Sequence, residues 1–211
     1  MNFKEKTVYQ IYPKSFQDSN GDGWGDLQGV ISRLDYLQKL GIAYIWFNAM
    51  FVSPQRDNGY DVEDYRAIDP RYGTMEDFTE LCREAKKRGI DIMLDMVFNH
   101  ASTRHVWFQK ALKGEEKYKD YFFFRKGKAD GSAPNNWNSK FGGPAWEYVK
   151  ELDEYYLHLY DVTQADLNWD NSEVRKELAD IVNFWRSKGV HGFRFDVVNL
   201  VSKGSFEDDP N

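Results

Sequence analysis

The chain has 211 residues, of which 41% are hydrophobic and 29% charged, and its formal net charge is −6. This globular composition excludes an intrinsically disordered chain, and the negative charge disfavours nucleic acid and anionic membrane surfaces as partners. The single cysteine, Cys82, excludes an internal disulfide. No apolar run reaches the ~18 residues of a membrane span, and no signal-peptide core follows the first lysines, so we expect a cytosolic protein.

Predicted strands and helices alternate along the chain. Apolar and β-branched runs predict four strands, at residues 7–12, 43–50, 90–98 and 190–198. Apolar residues at helical spacing predict three helices, at residues 27–40, 74–89 and 171–189. Thr74 and Asp77 make an approximate capping box at the start of the second helix. This alternation predicts an α/β fold in which helices cover a parallel sheet.

The segment 101–170 interrupts the alternation. It is rich in aromatic residues, Gly, Pro and Asn and has no sustained helical period, so we predict a small inserted domain after the third strand. Residues 1–100 then carry three strands, and residues 171–211 carry a helix and the fourth strand. Four strands suit either the N-terminal half of a (β/α)8 TIM barrel or a small open sheet, since a complete barrel needs ~250 residues.

Polar clusters follow the predicted strands at the ends where barrel enzymes place their sites. SPQRDNGYDVEDY (53–65) follows the second strand, DMVFNH (95–100) ends the third, and Arg194 and Asp196 end the fourth. Ionisable groups at the ends of apolar strands are costly to bury without a use. Because three clusters converge, we predict a functional site at this edge, with a structural Arg194–Asp196 salt bridge as the alternative.

A run of alternating oxygen-bearing residues, DSNGDGWGD, spans residues 18–26, and we call it the Asx loop. Its start matches a calcium loop, although the twelfth position is Gly29 rather than Glu. The predicted ligands of a structural Ca²⁺ or Mg²⁺ are Asp18, Asn20, Asp22, Asp26 and the carbonyl of Trp24. The alternative is an Asx-rich turn without a metal.

Three motifs resemble the α-amylase superfamily of glycoside hydrolases, in the branch that acts on short α-glucosides. DMVFNH is similar to the motif of the family's third strand, QADLNW (164–169) to the signature before its third helix, and GFRFDVVN (192–199) to its nucleophile motif. The resemblance implies the N-terminal half of a TIM barrel with an inserted domain. It also implies retaining hydrolysis of an α-glucoside, and the stretches NNWNSKFGGPAWEY and DVVNLVSK favour trehalose 6-phosphate as the substrate.

The resemblance also implies roles for the residues around the predicted nucleophile. Asp196 would form a covalent glycosyl-enzyme intermediate, and Arg194, two residues earlier on the same strand face, would keep it ionised. His100 would donate a hydrogen bond to a sugar hydroxyl. Asp95 and Asn99 would support the site structurally.

Four further residues are predicted to bind the substrate. The resemblance implies that Asp57 grips the terminal glucose while the ring of Tyr60 stacks beneath it, an arrangement that makes an enzyme exo-acting. Phe141 would line the same subsite from the inserted domain. Lys140 beside it would meet a sugar 6-phosphate, with an exposed surface lysine as the alternative.

Retaining glycosidases need a second carboxyl group as acid/base, and the family's Glu on the fifth strand matches no residue of this chain. We therefore expect these 211 residues to be the N-terminal portion of a longer enzyme, inactive without the remainder of its own chain. No organic cofactor is implied. The alternatives are an oligo-1,6-glucosidase, another α-glucosidase or a glucosyl isomerase and, from another class, a non-catalytic sugar-binding or scaffold protein on the same fold.

Overall fold

The computed structural model describes residues 3–209. Its strands are β1 (Val8–Ile11), β2 (Tyr44–Phe47), β3 (Phe51–Val52), β4 (Asp64–Ile68), β5 (Asp91–Met96), β6 (His100–Ser102), β7 (Phe124–Arg125), β8 (Trp146–Val149), β9 (Glu154–Leu157), β10 (Gln164–Asp166) and β11 (Gly192–Phe195). Its helices are α1 (Pro13–Phe16), α2 (Leu27–Ser32), α3 (Leu34–Lys39), α4 (Met75–Lys87), α5 (Val106–Leu112), α6 (Glu116–Lys119) and α7 (Ser172–Ser187). Short 3₁₀ turns lie at Phe3–Glu5 and Val198–Leu200.

Strands β1, β2, β5 and β11 form a four-stranded parallel sheet in that order. Its register places Val8 opposite Tyr44, Tyr44 opposite Asp91, and Gly192 opposite Met93. The four predicted strands are thereby confirmed, each shorter than predicted. Neighbours in the sheet follow the chain order without reversal, as consecutive strands of a barrel do, whereas a doubly wound sheet reverses its order. The predicted α/β class is confirmed.

The chain divides into two compact units. The sheet unit comprises residues 3–52, 65–96 and 180–195, and the insert unit comprises residues 53–64, 97–179 and 196–209. The whole segment predicted as an inserted domain, residues 101–170, lies in the insert unit. The domain boundaries given by the sequence stay a prediction.

A tryptophan fixes the aromatic core of the sheet unit. The fully buried ring of Trp185 stacks on Phe51 at a centroid distance of 5.0 Å and meets Phe78 edge-on at 5.1 Å. Its Nε1 donates a hydrogen bond to the carbonyl oxygen of Tyr65 at 2.7 Å. The ring thus buries a large apolar area without leaving its N–H unpaired, which is the condition for placing Trp in a core.

The helix predicted at residues 27–40 is two helices, α2 and α3, so the predicted continuity was wrong. Arg33 separates them with φ −107° and ψ 3°, and its N–H donates to the carbonyl of Val30 at 3.0 Å. Val30 before the break and Leu34 and Leu37 after it are all fully buried. Because the apolar spacing survives the break, periodicity alone does not reveal it.

The other two predicted helices are confirmed as α4 and α7. Helix α4 begins with a complete capping box, in which the Thr74 hydroxyl accepts from the Asp77 N–H at 3.1 Å and the Asp77 carboxylate accepts from the Thr74 N–H at 2.7 Å. Caps of this kind stabilise a helix by ~1 kcal/mol.

Across residues 3–209, no helix has both the length and the apolar character that crossing a membrane requires.

The insert unit contains two small antiparallel sheets, β6–β10 and β7–β9–β8. The residues Phe123, Ala145, Trp146 and Leu157 form one of its buried clusters. None of these strands was predicted. Strands of two to four residues carry too few alternating positions to be recognised by periodicity.

Residues 204–209, which we call the strap, lie against this buried cluster. Phe206 adopts a positive φ of 58°, and its ring lies 5.3 Å from the ring of Trp137 and 5.0 Å from that of Phe123. The Trp137 indole N–H donates to the carbonyl of Glu207 at 2.9 Å. The strap therefore completes a core whose other members precede it by about 50 to 80 positions.

Candidate active site

The loop that carries Asp57 is organised around a buried carboxylate. Asp61 is fully buried and accepts hydrogen bonds from the Ser53 hydroxyl at 2.9 Å and from the N–H groups of Arg56 and Asp57 at 3.0 Å each. Asn58 adopts a left-handed φ of 50°, a conformation that Asn tolerates better than bulkier residues. The turn fixes the backbone of Asp57 and leaves its carboxylate for contacts outside the loop.

Asp57, Gln164 and His100 are neighbours in one chain of contacts, in which Gln164 and His100 are buried and Asp57 is half-buried. The Gln164 side-chain NH2 donates to the Asp57 Oδ2 at 2.9 Å and lies 3.1 Å from the His100 Nε2. The same His100 Nε2 lies 3.2 Å from the carbonyl oxygen of Tyr60. The structure thus brings together three of the predicted substrate-binding residues, Asp57, Tyr60 and His100. It adds Gln164, which the sequence analysis did not assign.

The environment of Asp57 is strongly negative. Burial raises the pKa of Asp57, a hydrogen bond from Gln164 opposes this, and the charges of Asp61, Asp161 and Asp196 raise the pKa further. Asp196, the predicted nucleophile, is thus close enough to influence the titration of the predicted sugar-gripping carboxylate. A carboxylate whose pKa is raised by burial and by neighbouring carboxylates is typical of a functional site.

His100 is buried in the same environment. Burial lowers the pKa of His100, while the charges of Asp166 and Asp196 act in the opposite direction. Its ring lies 5.3 Å from the ring of Tyr160, which in turn lies 5.5 Å from that of Phe141. Phe141 is 60% exposed. The rings of Tyr160 and Phe141 thus form a row of contacts that leads from His100 to the surface. The substrate-binding role of Phe141 stays a prediction.

A buried ion pair lies next to His100. The Lys203 Nζ is 2.6 Å from the Asp166 Oδ2, and the two side chains are 2% and 0% exposed. Lys203 also donates to the Asn99 Oδ1 at 2.7 Å and to the carbonyl of Leu200. The Asn99 NH2 in turn lies 3.0 Å from the Asp166 Oδ2 and 3.1 Å from the His100 Nδ1.

Seven residues share these contacts and charges, and we call them the His100 cluster. They are Asp57, Asn99, His100, Gln164, Asp166, Asp196 and Lys203. The sequence analysis assigned roles to Asp57, Asn99, His100 and Asp196. It gave none to Gln164, Asp166 and Lys203, although all three stand in the motifs QADLNW and DVVNLVSK. Their order in a motif was the available signal, but their partners are defined only by the fold.

In the sheet unit, Arg194 and Asp95 lie opposite each other on β11 and β5. The Arg194 Nη1 donates to both carboxylate oxygens of Asp95, at 2.9 and 3.1 Å. The guanidinium also lies over the ring of Trp46, at 5.1 Å from its centroid. Asp95, whose side chain is fully buried, thus holds Arg194 at the end of the strand that leads directly to Asp196.

Lys140 lies at the surface next to Phe141. Its side chain is exposed, and its backbone N–H donates to the carbonyl of Leu159 at 2.8 Å. The position therefore suits either a surface lysine or a residue that meets a charged ligand group from solvent. Its predicted role toward a phosphate stays a prediction.

In the Asx loop, the backbone supplies donors to the Asp18 carboxylate. Asp18 accepts hydrogen bonds from the N–H groups of Gly23 at 2.9 Å, Gly21 at 2.7 Å and Asn20 at 3.0 Å. These bonds lower the pKa of Asp18. Each of these donors favours the ionised carboxylate, so hydrogen bonds to the charge of Asp18 stabilise the conformation of the loop.

The other predicted ligands of the Asx loop also have protein partners. The Asp22 Oδ1 accepts from the Trp24 N–H at 2.8 Å, and Asp26 caps α2 by accepting from the Gly29 N–H at 2.6 Å. Among residues 3–209, no group of three or more His, Cys, Asp and Glu side chains is arranged to hold a metal ion. The hydrogen bonds of the loop are those of an Asx-rich turn, and the cation stays a prediction.

Comparison with known proteins identifies the family of the chain. Residues 10–211 match the family model of the alpha-amylase catalytic domain. The chain is 58% identical over 196 residues to trehalose-6-phosphate hydrolase of Escherichia coli (strain K12), an alignment that covers 93% of this chain and 35% of the relative. It is 52% identical over 202 residues to oligo-1,6-glucosidase of Bacillus cereus, covering 95% of this chain and 36% of the relative.

A solved structure gives the same result. The crystal structure of Bacillus licheniformis trehalose-6-phosphate hydrolase matches with a TM-score of 0.96 at 53% identity, over 98% of this chain and 38% of that chain. The chain spans about 36% of the length of the curated relatives it matches. Since the family model matches nearly all of its residues, the chain belongs to the α-amylase family.

Proposed function

We propose that this chain supplies the glucosyl-binding residues and the nucleophile of a retaining α-glucoside hydrolase, with trehalose 6-phosphate as its substrate. The observation that supports this best is the contact of Asp57, Gln164 and His100 in a region that also feels the charge of Asp196. Membership of the α-amylase family supports the chemistry proposed for these residues.

In the proposed reaction, an Asp196 oxygen attacks the anomeric carbon of the glucosyl unit. The bond from that carbon to the leaving oxygen breaks, and a carboxylic acid protonates the leaving oxygen, which releases glucose 6-phosphate. The resulting glycosyl ester is then hydrolysed by a water that the same carboxylate deprotonates, so that glucose leaves with its anomeric configuration retained.

Asp57 and His100 bind the glucosyl hydroxyl groups in this proposal. A carboxylate whose charge is poorly compensated gains more from hydroxyl donors than one already saturated with hydrogen bonds. Asp57 has that character, since burial and nearby carboxylates raise its pKa. The rings of Tyr60 and Phe141 would cover the apolar face of the sugar.

The acid/base carboxyl is the Glu that the family carries on its fifth strand, and no residue of this chain is assigned to that role. We therefore expect the 211-residue chain by itself to show no turnover of α-glucosides. Product formation by this chain after purification to homogeneity would overturn that expectation.

We also propose a cytosolic location, which suits a phosphorylated sugar and the free buried thiol of Cys82.

The substrate is tested by comparing kcat/KM for trehalose 6-phosphate and isomaltose, using enzyme produced from the natural reading frame that contains these residues. We expect a preference of ~100-fold for the phosphorylated sugar, about 2.7 kcal/mol of transition-state discrimination. A preference for isomaltose would instead support oligo-1,6-glucosidase activity. That second candidate is favoured by the 52% identity to the Bacillus cereus enzyme of that name.

The proposed phosphate contact is tested at Lys140. We expect Lys140→Ala to raise KM for trehalose 6-phosphate about tenfold while leaving KM for isomaltose unchanged, because only one of the substrates carries a dianion. Lys150→Ala, which removes another exposed lysine of the insert unit, is the matched control. Equal effects of Lys140→Ala on both substrates would remove Lys140 from the phosphate site.

A further inference from the structure

We propose that Lys203 is a positioning residue that holds the backbone next to Asp196 through a strained turn at Val197. Asp196 is the nucleophile in the proposed function, on which this inference rests, whereas the turn and its contacts are observations of the structure. Three features support the inference: the conformation of Val197, the three oxygens that the Lys203 ammonium contacts, and the burial of the lysine side chain.

Val197, the residue directly after Asp196, has a left-handed backbone conformation with φ 40° and ψ 35°. A β-branched residue disfavours this region, because its side chain crowds the backbone there. The conformation therefore costs free energy and persists only where the surroundings impose it, as is common beside reacting groups. Glycine adopts the same conformation without that cost.

Hydrogen bonds lead from the strained residue to Lys203. The Leu200 N–H donates to the carbonyl of Val197 at 2.9 Å, and the carbonyl of Leu200 accepts from the Lys203 ammonium. In the described part of the chain, no residue of the segment 196–200 is fully buried. Burial in a core therefore does not impose the left-handed turn, and the contacts that end at Lys203 are the constraint that the structure shows.

Lys203 connects this turn to a buried carboxylate. Its Nζ lies 2.6 Å from the Asp166 Oδ2 and 2.7 Å from the Asn99 Oδ1, and the carbonyl of Leu200 is its third acceptor. An ammonium has three N–H groups, so these three oxygens use all of its donors. The side chains of Lys203 and Asp166 are 2% and 0% exposed. The segment after Asp196 is thus bound to β10, the strand that carries Asp166.

The value of this contact lies in geometry more than in stability. A buried ion pair adds little net stability, because removing two charges from water offsets most of their attraction. One lysine nitrogen instead fixes the distances between oxygens from three separate parts of the chain. In the proposed reaction an Asp196 oxygen has to face the anomeric carbon before the bond forms, so a fixed backbone beside Asp196 favours attack.

A second route from Lys203 into the site has to be separated from this one. The Asn99 amide also lies 3.1 Å from the His100 Nδ1, so a substitution of Lys203 affects a proposed sugar-binding residue as well. Only the route through Val197 depends on the residue at position 197. If Lys203 holds the turn, its loss matters less in Val197→Gly, whose backbone populates the left-handed region unaided.

The test is a double-mutant cycle in enzyme from the natural reading frame, with whichever of trehalose 6-phosphate and isomaltose the parent hydrolyses faster. One arm is Lys203→Met combined with Asp166→Asn, which removes both charges of the buried pair and leaves neither unpaired. We expect this arm to lower kcat/KM about 30-fold in the parent and less than about threefold in Val197→Gly. An equal loss in both backgrounds would overturn the inference.

The inhibition constant of glucose separates positioning from sugar binding. We expect it to stay within about threefold of the parent value when Lys203 and Asp166 are substituted, because the turn at Val197 acts on the nucleophile. A rise in this constant as large as the loss of kcat/KM would place the effect in sugar binding and overturn the inference. Lys119→Met combined with Glu154→Gln, which removes another lysine–carboxylate pair of the insert unit, is the control expected to keep the parent kinetics.

If the variant that lacks Lys203 and Asp166 does not fold, Lys203→Arg takes its place in the cycle. Its guanidinium keeps the charge, but its donors are spread over a planar fork and do not place one nitrogen among three oxygens. We expect a smaller loss of kcat/KM with the same dependence on position 197. A loss that is equal in the parent and in Val197→Gly would again contradict the role of Lys203.

The strain at Val197 is tested without any substrate. We expect Val197→Gly to have a Tm about 1–2 °C higher than Val197→Ala, because only Gly adopts a positive φ without cost. A Tm of Val197→Gly equal to or below that of Val197→Ala would overturn the inference. A parent enzyme that hydrolyses neither sugar would contradict the proposed function, while the order of the two Tm values would still report on the turn.

Discussion

The Asx loop and the His100 cluster both collect aspartates on short connecting segments, yet their carboxylates differ in what surrounds them. In the Asx loop, three backbone N–H groups meet the exposed Asp18 and lower its pKa. In the His100 cluster, Asp57 has one donor from Gln164 and several like charges, and its pKa is raised. The first carboxylate is satisfied by its own loop, whereas the second is left with capacity for a ligand.

Both residues are aspartates, so what distinguishes the structural one from the functional one is the number of hydrogen-bond donors around its carboxylate. A carboxylate that is saturated with local N–H groups stabilises its loop and gains little from a new partner. A half-buried carboxylate near like charges costs stability in the ligand-free protein, and sites that bind or react accept that cost.

The largest expected effect is at Asp196, the proposed nucleophile. We expect Asp196→Asn to lower kcat/KM on the order of 10⁴-fold, because the amide cannot form the glycosyl ester. Hydrolysis of trehalose 6-phosphate by the natural-frame enzyme measures this loss. Asp180→Asn, an exposed change on α7, is the control, and a loss of less than tenfold would remove Asp196 from the nucleophile role.

The second prediction compares the same substitution, Asp to Asn, at Asp57 and at Asp18. We expect Asp57→Asn to lower kcat/KM about 100-fold while keeping or raising Tm, because the substitution removes a poorly compensated charge. Asp18→Asn should do the reverse, lowering Tm while leaving kcat/KM unchanged, because it weakens the acceptor of three N–H groups. Thermal unfolding and kinetics of the two variants measure the changes in Tm and in kcat/KM. The comparison fails if both variants lose stability alike.

The third prediction concerns the pH dependence of the unfolding free energy, to which Asp18 and Asp57 should contribute with opposite signs. Asp18 has a pKa below its ordinary 3.8 in the folded state, so its contribution is present above that pH and is lost as the pH falls through the folded value. Asp57 has a pKa above 3.8, so its contribution is present at low pH and is lost as the pH rises through the folded value.

Unfolding free energies measured from pH 3 upward on the parent and on both variants would test these signs. Relative to the parent, Asp18→Asn should flatten the acid side of the profile, and Asp57→Asn should remove a decline that begins above pH 3.8. Identical profiles for the parent and Asp57→Asn would show that Asp57 titrates normally.

The smallest expected effect concerns the cation predicted at the Asx loop. We expect millimolar Ca²⁺ to raise Tm by a few degrees, because a ligand that binds only the folded state stabilises it. Asp22→Asn, which removes one charge of the loop, should abolish the rise. A Tm that does not respond to Ca²⁺ or to its removal by a chelator would leave the loop as a turn held by backbone N–H groups alone.

The sequence was sufficient to predict the four parallel strands and two of the three helices, because their patterns are local. A run such as residues 90–98 is buried on both faces and reads as a strand without knowledge of its neighbours. The break at Arg33 was not predictable, since the apolar spacing continues across it. The strands of the insert unit were not predictable either, because each is too short to show a period.

Four of the seven residues of the His100 cluster were proposed from the sequence, but their contacts were not. Asp57 and His100 were recognised from motifs at strand ends, where barrel enzymes place their sites. Lys203 contacts Asn99 across 104 positions, and Gln164 contacts Asp57 across 107. Pairs at such separations carry no local signal, so a lysine in a motif gives no indication of the side chain that it orients.

The strap has a consequence for the order in which the molecule is made. Phe206 packs on rings between Phe123 and Trp146, and chains are synthesised from the N-terminus at ~5–20 residues per second. The core of the insert unit therefore lacks its last aromatic ring for several seconds of synthesis on the ribosome. During that time the apolar surface that Phe206 covers stays exposed, and it is covered only after the segment that carries Asp196 and Lys203 has also been synthesised.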